Sequence, residues 1–225
     1  SGEGLSETGS VFLQTGSSNF AGSGSVELGT GDSSGGGSGR ISIYSGQSID
    51  TSGNILLQTG VSKYRGGNIN ILSGASIDGT GGSISLSSGG GLVSGQSIYQ
   101  TGDGKLSSGE ISIVTGNSHE RNSGTISIIT GNAEKYAGDV YVRAGSSANN
   151  VGGSVQLLGG NSQLQTGGEI TLSSGSSQVG ASGSLRISSN VGKESSGNFN
   201  IMTGDGASGP SGGITLSTGQ SQDIS

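Results

Sequence analysis

An eight-residue pattern recurs along the whole chain and constrains its folding more than any other feature. It reads Gly-x-Φ-x-Φ-x-Thr-Gly, where Φ is a large apolar residue. Its clearest copy is Gly53-Asn54-Ile55-Leu56-Leu57-Gln58-Thr59-Gly60. In extended backbone Ile55, Leu57 and Thr59 share one side, because successive side chains alternate. The units open at Gly9, Gly24, Gly39, Gly53, Gly67, Gly82, Gly95, Gly109, Gly124, Gly138, Gly153, Gly168, Gly183, Gly197 and Gly212. From the first to the last the mean step is about 14.5 residues, a period that marks a repeat architecture. Apolar pairs such as Val11/Leu13, Ile41/Ile43, Ile126/Ile128 and Ile214/Leu216 hold the same two positions in every unit but the seventh, where Ser97/Tyr99 stand. That unit also ends the shortest step, Gly82 to Gly95, and a local bulge is expected there.

The unit closes on Gly, or once on Asn190. Gly and Asn best tolerate positive φ, so a left-handed residue is expected at each strand end. The residue before the closing glycine is small, and so is the residue two beyond it, as at Ser18, Ser33, Ser48, Ser62 and Ser76. Such uniformity predicts a tight corner.

Near-identical strands with one shared inward pattern predict an all-β fold, a parallel β-solenoid or β-helix. The position between the two apolar residues sets the coil length. Every third unit gives Phe12, Leu56, Ile98, Tyr141, Arg186; the next series gives Glu27, Asn70, Ser112, Gln156, Asn200; the last gives Ser42, Ser85, Ser127, Thr171, Thr215. The series separate into apolar, polar and small hydroxyl residues. The expectation is three strands and about 43–44 residues per coil, about five coils, and a triangular or flattened three-layer section. Residues 1–225 then form one solenoid domain of fifteen strand-turn units, typically of 14–15 residues. Phe20, Ile49, Tyr64, Ile77, Leu92 and Leu106, in the linkers, are expected to turn inward and fill the wide interior. The edges 1–8 and 220–225 lack a capping pattern, so the array is expected to continue in a longer chain or polymer.

Composition fits a repeat array better than an ordinary globule. There are 50 Gly, only 28% hydrophobic and 4% aromatic residues, and an array needs fewer because each unit covers its apolar side against neighbours. No Cys is present, so no disulfide or thiolate metal site is available. A net charge of −6 argues against nucleic acid as a partner. No apolar run reaches the length of a membrane span, so no membrane insertion is expected.

Little in the chain suggests catalysis. The one histidine, His119, sits in the linker Asn117-Ser118-His119-Glu120-Arg121, and sequence neighbours on a loop rarely have triad geometry. Thr-Gly-Asp recurs at Asp32, Asp103 and Asp205, but most units carry Gln, Asn, Ser or Ala at that place, which is turn chemistry and not a calcium array. No Gly-rich stretch carries the Gly-Lys-Ser/Thr of a phosphate loop. The Ser42, Ser85, Ser127, Thr171, Thr215 row is a small hydroxyl stripe of the kind a strand presents to solvent. No catalytic, cofactor-binding or metal residue is assigned, and no cofactor is expected.

The outward apolar rows carry the functional expectation. Phe12, Leu56, Ile98 and Tyr141 form one; Leu72, Val114, Leu158 and Met202 form the other. Contiguous exposed apolar strips are uncommon on soluble monomers and predict an assembly surface, with burial inside a flattened coil as the alternative. Gln14, Gln58 and Gln100 add a candidate amide ladder.

With Ser-rich corners, the Gly-x-Ile-x-Leu-x-Thr-Gly units resemble secreted, repetitive β-solenoid proteins: adhesin stalks and the Ser/Gly-rich surface repeat proteins of microalgae and other microbes. The resemblance spans the chain but transfers no functional residue. It implies an extracellular or cell-surface, fibrous or adhesive role. The expectation is a non-enzymatic structural building block of a filament, with itself as partner. Asn-x-Ser/Thr sequons are absent, while many Ser and Thr are open to O-glycans. An adhesin-type module for carbohydrate or ice is the alternative. A polysaccharide-acting solenoid enzyme ranks behind it, because clustered Asp, Lys or Arg is missing.

Overall fold

A computed structural model describes residues 8–220; the segments 1–7 and 221–225, on which the expectation of uncapped ends bears, lie outside the described residues. The described chain alternates extended stretches with single bends, and each linker holds one bend near its middle. Residues 19–21, 34–36, 49–50 and 63–64 bend first, and the series runs on to 207–209. The repeat read from sequence is therefore a repeat of corners.

The extended stretches are not paired. Among the described residues there is neither helix nor strand, and the backbone–backbone hydrogen bonds all close corners: Gly82 N–H to Gly74 O, Gly95 to Gly89, Gly153 to Gly145, Gly168 to Gly160 and Gly183 to Gly175. None joins a unit to the unit three further on. This overturns the all-β, parallel β-solenoid of three-strand coils in either cross-section, because a coil exists only through ladders between such units. The chain instead has irregular, extended backbone pinched at intervals.

Burial agrees. The accessible surface is 23806 Å². A folded monomer of this mass exposes roughly 9,000 Å², and its unfolded chain roughly 31,000 Å². No described residue is buried, and Ile41, the least exposed large apolar side chain, still shows 47% of its surface. The linker residues Phe20, Ile49, Tyr64, Ile77, Leu92 and Leu106 do not turn inward; they stand in solvent, since there is no interior to fill.

Alternation survives locally. Ile55 and Leu57, at 52% and 65% exposure, are better covered than Leu56 between them at 79%. Tyr141 Oη donates to Asp139 Oδ2 at 2.9 Å, and Thr171 Oγ1 donates to Glu169 Oε1 at 3.0 Å. Each pair is two residues apart, a contact that follows when alternate side chains share a side.

The chain divides into two parts, one ending at Ile111 and one beginning at Ser112, in the middle of an extended stretch. In the first part, Thr15 Oγ1 donates to Gly24 O at 3.2 Å, Thr30 to Gly39 O at 3.3 Å and Thr59 to Gly67 O at 3.4 Å. The corners 74–82 and 89–95 close by backbone instead. In the second part, the three corners beginning at Gly145, Gly160 and Gly175 close by backbone.

Where a corner closes by one of these bonds, the penultimate residue separates the two kinds, while the corners after Ser45, Thr101, Thr115, Thr130, Ser189 and Thr203 show neither bond. All five backbone closures follow Ser73, Ser88, Ala144, Gly159 or Ser174, and all three hydroxyl closures follow Thr. The cause is the β-branch. A Cβ built on Gly39 or Gly67 would lie 3.2 Å from the methyl carbon of Thr30 or Thr59, so that methyl already fills the gap between the two chain segments. After Ser73, Ser88, Ala144, Gly159 and Ser174 the backbones close further, and the opening N–H reaches the closing carbonyl. The kind of closure, where one forms, thus follows one side chain and ignores the three-unit period.

Two further sequence expectations are corrected at the corners. No described glycine has positive φ, so the closing glycines are not left-handed. A Cβ on Gly16, Gly31, Gly46 or Gly60 would meet nothing within 4 Å. It is the opening glycine that is crowded. The short step at the seventh unit makes no bulge, because a bulge needs a paired strand. The corner absorbs it: Gly95 N–H reaches Gly89 O across six residues, where the other backbone closures span eight.

Candidate interaction surface

At eight corners a serine two places beyond the closing glycine builds the bend. Ser18 Oγ accepts from Ala21 N–H at 3.1 Å, Ser76 from Gly79 at 2.9 Å, Ser147 from Asn150 at 3.0 Å and Ser162 from Gln165 at 2.9 Å. Ser48, Ser62, Ser118 and Ser177 do the same with the N–H two or three residues on. This local hydroxyl-to-backbone bond is how Ser favours turns. Where Gly replaces Ser the bend closes differently. A Cβ at Gly104, Gly192 or Gly206 would run into the carbonyl oxygen of Ser107, Ser195 or Gly209, three residues on. Sequence reasoning saw only that this position is small. The signal separating its two solutions, Ser against Gly, was present and went unused.

All eight residues of the two outward rows are exposed, from Phe12 and Tyr141 near nine-tenths to Ile98 at 67%. The rows are therefore periodic in sequence and solvent-facing. The inward apolar pairs are also only partly covered, so both sides of each extended stretch offer apolar surface.

Open depressions lie along the described residues. The depressions, along Tyr141-Val142-Arg143 and along Leu216-Ser217-Thr218, are each lined by three consecutive residues, which makes them hollows beside an extended backbone. Ser118 Oγ accepts from the Arg121 N–H, the same turn-building bond found at other corners. The hydroxyl of Thr30 in the first Thr-Gly-Asp closes its corner on Gly39 O. Among the described residues no three His, Cys, Asp or Glu side chains come together as a metal site. No helix among them is long and apolar enough to cross a membrane. Lys63 Nζ lies 5.2 Å from the centroid of the Tyr64 ring, a local stacking contact on an exposed corner.

Comparison with family models, with curated proteins and with solved structures returned no match. Function is therefore argued from the surface alone.

Proposed function

We propose that this chain is a structural building block whose apolar surface is covered only by assembly with other copies of itself. One observation carries the reading: a periodic apolar pattern spans the chain, yet no described residue is buried. An apolar pattern this regular has no use in a chain that leaves it in water, since its burial is the main favourable term in association. The outward rows Phe12, Leu56, Ile98, Tyr141 and Leu72, Val114, Leu158, Met202 are the proposed contact surface, together with the half-covered inward pairs.

The role is non-catalytic, at the cell surface or outside the cell, as the resemblance to secreted repeat proteins implies. Exposed Ser and Thr leave room for O-glycans on the corners. Sedimentation velocity over a wide concentration range tests the proposal. Mass that grows with concentration supports it, and a monomer at every concentration ends it.

A further inference from the structure

We infer that the partner of each extended stretch is the same stretch of a second copy, running parallel and in register. This rests on the self-assembly reading above and specifies its geometry. Between corners the N–H and C=O groups of the described chain have no backbone partner. An extended row of unpaired donors and acceptors is an open edge, the template for adding another chain. The question is which register satisfies it.

Zero stagger is the arrangement that aligns every corner. The steps are uneven: Gly82 to Gly95 is thirteen residues, Gly53 to Gly67 fourteen, and Gly24 to Gly39 fifteen. A copy shifted by one unit therefore slips by a residue at several places, and a one-residue slip moves a stretch's side chains to the opposite side. A shift of three units fares no better, since Gly9 to Gly53 spans 44 residues and Gly53 to Gly95 spans 42. An antiparallel copy sets the Thr-Gly end of a unit against the opening glycine, and sets Phe12-type units on Ser42-type ones.

In register, each class meets its own kind. Apolar falls on apolar, the Gln14, Gln58 and Gln100 amides stack, and the hydroxyl row continues from chain to chain. Like charges also fall on like, which is unfavourable. The chain limits that penalty with only 11% charged residues, many of them on the exposed corners, such as Lys63, Arg65, Glu120 and Lys193.

The absence of Cys allows single-site labelling of the full chain. Ser42→Cys and Ser127→Cys place a nitroxide in the hydroxyl row of each part. In-register copies bring identical labels to about 4.8 Å spacing. Assembled material then shows one exchange-narrowed line at both sites, and dilution with unlabelled chain restores three lines. Assemblies that keep three lines at either site overturn the register while leaving self-association standing. A chain that never assembles overturns both.

Discussion

Glycine does different work at three positions of the repeated corner, and substitution separates them. At Gly60 the surroundings are empty and φ is not positive, so Gly60→Ala is expected to leave the corner unchanged. A left-handed Gly60 would instead resist alanine by about 1 kcal/mol or more. At Gly104 a side chain meets the Ser107 carbonyl, so Gly104→Ala is expected to open the bend at 105–106. Nuclear Overhauser contacts between residues 104 and 107 read the difference: lost in Gly104→Ala, while those around Gly60 persist in Gly60→Ala. Loss in both variants would show that the closing glycine is constrained in a way that its open surroundings do not reveal. A third case is Gly67, whose added Cβ would press the Thr59 methyl at 3.2 Å, tight but yielding.

At the scale of one corner, a single methyl group chooses between two hydrogen bonds. Ser73→Thr is expected to replace the Gly82 N–H to Gly74 O bond, 2.8 Å long, with a threonine hydroxyl bond to Gly82 O. Thr59→Ser is expected to do the reverse at 60–67. A bond of this kind contributes about 0.5–1 kcal/mol, so the amide exchange of Gly82 should quicken by about two- to fivefold in Ser73→Thr. Unchanged exchange would separate corner closure from the β-branch. This scale also shows what the sequence could disclose. Period, corner position and alternation of sides all lie within about fifteen residues, and each was legible because local sterics determine it. The coil was not. Whether Phe12 lies over Leu56 depends on ladders between units three apart, and the repeat is compatible with such ladders without requiring them. The same near-identity of units that suggested stacking within a chain serves equally for stacking between chains. The penultimate Thr, Ser or Ala stands in the sequence, but its small size alone does not distinguish the branched residue from the unbranched ones.

For the whole molecule, the sparse charge and the exposed rows make assembly the property most open to test. Net charge is −6, so copies repel one another weakly, and salt should promote assembly by screening that repulsion over about 10 Å at 0.1 M. Assembly that weakens as salt rises would instead assign the contact to opposite charges. The rows permit a sharper comparison. Leu72 and Leu158 are exposed to similar degrees, at equivalent places in units six apart. Covering each contributes about 1.5–3 kcal/mol. Leu72→Lys with Leu158→Lys should therefore raise the concentration needed for assembly by at least about a hundredfold. The matched control puts the same charges in the hydroxyl row, as Ser42→Lys with Ser127→Lys. It makes the same change in charge, two added lysines per chain, but removes no apolar contact, so its smaller shift measures the charge alone. Because the described chain has no core to lose, neither pair acts by unfolding it, and pelleting across a dilution series reads association directly. Equal shifts in the two pairs would mean that charge, and not the apolar row, limits assembly, and the rows would lose their assigned role.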